Sequence, residues 1–136
     1  MNHRLIAGYQ TAIGLSNTLT GILLIVAPAL TLRLMGLQVP AAALPFLSFV
    51  GAFVLPVGLA CLYGALVLVA KGSLCRLQMV WLLTGFIFAS VALFVAAAVI
   101  GQALEAGWLT VAITDGACVV IQAIGLHRGW LTDAPQ

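Results

Sequence analysis

Four long apolar runs, joined by links of only a few residues, limit what this chain can fold into. They cover about residues 5–27, 42–70, 77–100 and 107–126. A helix that crosses a bilayer needs about 20 mostly apolar residues at a rise of about 1.5 Å each, and every run reaches that length. The links Met35–Pro40, Lys71–Cys75 and Gly101–Ala106 are too short for anything but antiparallel neighbours. Hydrophobic residues make up 64% of the chain and charged ones 6%, where an average soluble domain has about a quarter charged. Such a surface is not kept in water, so the bilayer is the expected solvent. The expectation is one domain, residues 1–136: an all-α, polytopic integral membrane protein, a four-helix up-down-up-down transmembrane bundle.

The basic residues set an expected orientation. Arg4, Lys71, Arg76 and Arg128 fall on one side of this topology and only Arg33 on the other. The positive-inside rule then predicts cytoplasmic N- and C-termini. Trp81, Trp108 and Trp130 fall near span ends, where amphipathic rings favour the interface. The first run is expected to be a membrane helix and not a signal peptide, because Gln10, Thr11, Ser16, Asn17, Thr18 and Thr20 interrupt any apolar h-region.

Asp115 is the one acidic residue inside an expected span; Glu105 lies in a link and Asp133 in the tail. An aspartate at mid-bilayer costs about 2.5–3.5 kcal/mol on insertion scales, which a partner, bound water or protonation must offset. Gln122, seven residues on, shares its helix face. On the first run Gln10, Gly14, Asn17 and Gly21 form one stripe. From the helical rise, Asn17 and Asp115 both lie about 18 Å from the cytoplasmic side, and Gln10 and Gln122 about 8 Å. Ser90 falls level with Asp115. The expectation is a ladder of polar contacts between the first and last spans, Asn17 with Asp115 and Gln10 with Gln122, with Gly14 and Gly21 permitting close approach.

Other small and polar positions have milder readings. Ser48, Gly51 and Gly58 share a face of the second span near Pro45 and Pro56, consistent with plain packing or with a kink that frees carbonyls to line a cavity. Thr84 and Gly85 read as backbone-bonded packing. Ile13–Gly21 resembles Val57–Gly64 after one gap, from duplication or from shared membrane composition.

Several chemistries are excluded. The basic residues form no run that tracks phosphates, so no nucleic acid is expected. His3 and His127 are the only histidines and both sit at a rim, so a bis-histidine haem is not expected. Cys61, Cys75 and Cys118 lack metal-binding spacing with histidine, so zinc is not expected either. No P-loop, GxGxxG or GxSxG is present. The cysteines read as small apolar packing residues. Any other cofactor is left unidentified by the sequence.

The Gly14–Gly21 stripe running into Pro28, the Leu34–Met–Gly–Leu37 turn, Phe49–Val–Gly–Ala–Phe–Val54 and Thr114–Asp–Gly116 resemble patterns in DoxX-like small four-helix bacterial membrane proteins. That resemblance covers about four-fifths of the chain, and no catalytic motif is carried over with it. It implies a bacterial cytoplasmic (inner) membrane location and, at most, a quinone-like ligand or partner. A likeness to four-helix sterol-isomerase-type proteins rests on the buried acid alone.

Three functions compete. The first is a non-catalytic membrane component, a homo-oligomer or accessory subunit in a larger membrane complex, binding an apolar ligand such as a quinone or lipid. The second is a small proton-coupled transporter with Asp115 as the titrating group. The third is a membrane enzyme on an apolar substrate, with Asp115 as acid or base beside Asn17 and Ser90. The topology itself is testable: a membrane-impermeant maleimide should label Cys75 only when added from the cytoplasmic side, and labelling from the opposite side would invert the expected orientation.

Overall fold

Prolines and left-handed residues punctuate the helices. α1 (His3–Val26) stops just before Pro28, which has no N–H to continue the ladder and instead opens α2 (Pro28–Leu34) from a first-turn position. Pro45 occupies the same kind of position in α3 (Leu44–Tyr63), which a 3₁₀ turn at Ala41–Ala43 leads into. Pro56 lies inside α3, so the carbonyl of Ala52 loses its usual donor there. Beyond Tyr63 the helix widens into a π-helical stretch, Gly64–Val69. α4 (Leu74–Ile100) and α5 (Leu109–His127) follow, the latter entered through a 3₁₀ turn at Ala106–Trp108.

In this computed structural model the described residues are 3–132; Asp133 lies outside them. Four helical segments are long and apolar enough to cross a membrane: His3–Val26, Ala41–Val69, Leu74–Ile100 and Ala106–His127. Each lies within about three residues of an expected span. The protein is all-α, and no strand occurs among the described residues.

The helix ends are closed internally, as a bilayer requires. After the π-helical stretch Gly72 adopts φ 66°, and the Ser73 N–H donates to the Leu68 carbonyl at 2.9 Å. Gln102, at φ 59°, makes the same left-handed exit from α4, and the Ala103 N–H donates to the Ala98 carbonyl at 2.8 Å. A non-glycine residue there costs about 1–2 kcal/mol.

The chain divides after Ser73 into two compact units. In the first, α1 and α3 pack antiparallel along glycines spaced seven apart on both helices. A Cβ at Gly21 would lie 2.6 Å from the Leu55 nitrogen, and one at Gly14 would lie 2.8 Å from the Leu62 nitrogen. On the opposing helix, a Cβ at Gly51 would lie 2.8 Å from the Gly21 carbonyl oxygen, and one at Gly58 would collide with the Thr18 backbone nitrogen. The two backbones therefore touch directly. In a membrane, where lipid is as apolar as leucine, such close van der Waals contact is a main source of helix association. The glycines expected to face the last span are thus taken up by α3, and the Gly51–Gly58 face is plain packing with no cavity. The resemblance between Ile13–Gly21 and Val57–Gly64 has a packing reason as well: the two stretches meet across this seam.

In the second unit, α4 buries Leu74, Leu77, Trp81, Thr84, Phe88 and Val95. Their alternation of three and four, with a gap of seven at the end, is that of a coiled-coil seam. α5 answers with Cys118, Gln122 and Gly125. Gly125 receives the Trp81 ring, since a Cβ there would run into it. The Gln78 Nε2 donates to the Leu131 carbonyl at 3.1 Å, tying the segment after α5 back to the start of α4. Phe46, Phe49, Phe53, Phe86, Phe94 and Ile113 are exposed, as befits faces turned to acyl chains.

The seam predicts a contrast between two glycines. Gly58→Ala should lower the stability of the detergent-solubilised protein by about 1–3 kcal/mol through overpacking. Gly116→Ala should leave it unchanged or slightly higher, because nothing lies within 4 Å of a Cβ there. Unfolding midpoints of the two variants check this.

Candidate functional site

The candidate site is a cleft between α4 and α5, inside the second unit. Trp81, Leu82, Gly85, Phe86 and Ala89 of α4 line it, with Val119, Gln122, Ala123 and Leu126 of α5. Its volume is about 180 Å³. The lining side chains are apolar except for the Gln122 amide and the indole N–H of Trp81.

Gln122 is 1% exposed and is the polar centre of the unit. Its Nε2 donates to the Thr84 Oγ1 at 3.1 Å. The Thr84 hydroxyl in turn donates to the Val80 carbonyl at 2.8 Å. That second bond uses the only proton the hydroxyl has, so its oxygen must accept from Gln122. The orientation of the amide follows: nitrogen toward Thr84, oxygen away. Gln122 Oε1 accepts no hydrogen bond among the described residues. It rests over Gly85, where a Cβ would stand 3.0 Å from it. Gly85 makes room for the amide.

The expected ladder residues are placed as follows. Gln122, expected to meet Gln10, gives its amide N–H to Thr84; α4 and α5 are joined by a short link and pair as a hairpin, so the nearer hydroxyl takes the donor. Asn17, half-buried, donates its Nδ2 to the Ile13 carbonyl of its own helix at 3.0 Å. Ser90 is exposed, and its hydroxyl donates to the Phe86 carbonyl at 2.8 Å. Gln10 is 0% exposed, and neither its Nε2 nor its Oε1 has a hydrogen-bond partner among the described residues. It lies one turn before Gly14, near the level where the π-helical stretch packs on α1. Asp115 is half-buried. The register of Trp81 with Gly125 and of Thr84 with Gln122, carried along the helices, sets Asp115 against Val91–Ala92. That is about 10 Å along α5 from Gln122, and Asp115 does not line the cleft.

The sequence reading missed Thr84 and Gly85 as site residues. The available signal was that Thr84, Gly85 and Gln122 are the polar and small residues at matching heights on two helices joined by a six-residue link. A second cavity, about 270 Å³, opens near the α2–α3 link and includes Arg33, Leu37 and Gln38. It holds none of the expected site residues. Among the described residues no group of three His, Cys, Asp or Glu gathers where it could hold a metal ion.

Comparison of the chain with protein-family models, with curated proteins and with solved structures finds no match.

The Trp81–Gly125 contact supports one wall of the cleft. Gly125→Ala should displace the indole and weaken the near-ultraviolet circular dichroism of the protein while helix content holds. An unchanged near-ultraviolet spectrum would show that the ring does not depend on that glycine.

Proposed function

We propose that this multi-pass membrane protein is a non-catalytic component that holds an apolar ligand, such as a quinone or a lipid, in the α4–α5 cleft, and that it acts as a homo-oligomer or as an accessory subunit. One observation carries the reading: an almost wholly apolar cleft, within a helix pair of membrane-spanning length, whose lining side chains bring only the Trp81 indole and the Gln122 amide as polar groups and no nucleophile or acid–base pair. Ligand sites are commonly apolar walls with few polar groups that fix orientation. The resemblance to DoxX-like proteins supports the same ligand class and a bacterial cytoplasmic membrane, and the excess of basic residues on one side of the topology supports cytoplasmic termini.

The experiment is native mass spectrometry of the full chain released from lipid nanodiscs. The reading expects an adduct of lipid or quinone mass that disappears in Ala89→Leu, a change that fills the cleft from its rim. A bare monomer with no adduct under any gentle release would contradict it.

A second reading is favoured by one specific observation: Asp115 is a half-buried acid inside a segment long and apolar enough to cross a membrane. An intramembrane acid is a usual proton-coupling group. If the protein moves protons, Asp115→Asn in proteoliposomes should abolish proton flux measured with a pH-sensitive dye while the folded yield is kept. Flux equal to that of the unaltered protein would remove Asp115 from that role.

A further inference from the structure

The cavity of about 270 Å³ is built from one stretch of the first unit: Ala29, Leu32 and Arg33 of α2, Leu37 and Gln38 of the turn after it, and Leu44 of α3. We infer that it holds the anionic head group of a membrane phospholipid, with Arg33 as the phosphate-binding side chain. Local geometry fixes its apolar wall. Gly36 adopts φ 70°, its N–H donates to the Arg33 carbonyl at 3.1 Å, and the Leu37 N–H donates to the Leu32 carbonyl at 2.9 Å. This pair of hydrogen bonds ends α2 and turns the chain back on itself. Leu32 and Leu37 are both buried there.

The charge beside that wall has no counter-ion of its own. Arg33 lines the cavity and is exposed. Residues 1–73 carry Arg4, Arg33 and Lys71 and not one Asp or Glu, so no carboxylate in its own unit can neutralise it. Its charge also opposes the bias that orients the chain, so orientation does not account for it. An accessible guanidinium binds a phosphate through two parallel N–H···O bonds. Location names the source of the phosphate. One membrane-spanning segment ends at Val26 and the next begins at Ala41, so the cavity sits where the spans meet the head groups. Leu30 and Leu34, exposed one turn apart on α2, offer apolar surface to the same zone. A volume of about 270 Å³ is just under the about 300–1,000 Å³ of pockets that enclose a whole small ligand. It suits a head group whose acyl chains stay in the bilayer.

The test titrates the full chain, in a neutral detergent, with phosphatidylglycerol and with phosphatidylcholine of the same acyl chains. Bound adducts in native mass spectra give the dissociation constants. The inference expects phosphatidylglycerol to bind about fivefold tighter, the worth of one basic residue at a membrane surface. Arg33→Gln should erase that preference, whereas Lys71→Gln, which removes the same charge outside the cavity, should keep it. Leu44→Trp, which fills the cavity and leaves the guanidinium, should weaken phosphatidylglycerol binding independently, should Arg33→Gln fail to fold. Ala89→Leu, which fills the α4–α5 cleft, should leave the preference in place, so this inference stands or falls apart from the reading above. Equal binding of the two lipids, or an equal loss in Lys71→Gln, would overturn it. Inorganic phosphate displacing the lipid at equal concentration would assign the cavity to the free anion and overturn the lipid. A preference seen only in Glu105→Gln would show that an acid of the second unit holds Arg33, and would overturn it as well.

Discussion

A side-chain amide set among hydrocarbon has to find its partners inside the protein, and the second unit is organised around that constraint. Gln122 donates to Thr84, and Thr84 donates to the Val80 carbonyl. The chain of bonds crosses from α5 to α4 and ends on the backbone. It fixes the register of the pair one turn from the level where Trp81 seats on Gly125. Gly85 is required by the same arrangement, because a side chain there would meet the amide oxygen. Packing and polar satisfaction thus specify one another, and the cleft is the space that remains beside them.

The first unit solves the same problem in a different way. α1 and α3 are brought so close by Gly14, Gly21, Gly51 and Gly58 that backbone meets backbone. Dispersion contacts along that seam take the place of a hydrophobic driving force that lipid does not supply. Only at its end, where the helix after Tyr63 widens into the π-helical stretch, does a buried amide, Gln10, lie without a partner among the described residues. π-helical turns recur at functional positions, but neither of the two cavities described above is lined by Gln10.

Much of the fold was legible from the chain, because length and apolarity alone set the spans. The run expected over 77–100 is α4 begun three residues earlier, and the one over 42–70 matches Ala41–Val69. What the periodicity could not supply was the identity of the facing helix. Gly14 and Gly21 were rightly placed on one stripe, yet that stripe serves α3. Gln122 is buried, yet its donor goes to Thr84, whose expected hydrogen bond to its own backbone is present as well. A helical repeat reveals which residues share a face and leaves open what that face meets; link length is the better guide, since a short link makes sequential helices neighbours. The cleft itself was not legible, because it arises from the particular sizes of Gly85, Ala89 and Ala123 beside Phe86 and Trp81.

The account stands on the Gln122–Thr84 hydrogen bond. A double-mutant cycle of Gln122→Leu and Thr84→Val, with stabilities taken from reversible unfolding in mixed detergent micelles, measures that bond directly. The predicted coupling energy is about 0.6–1.7 kcal/mol, the range found for hydrogen bonds between membrane helices. Additive single-variant effects, with a coupling indistinguishable from zero, would contradict the bond, and with it the orientation of the amide.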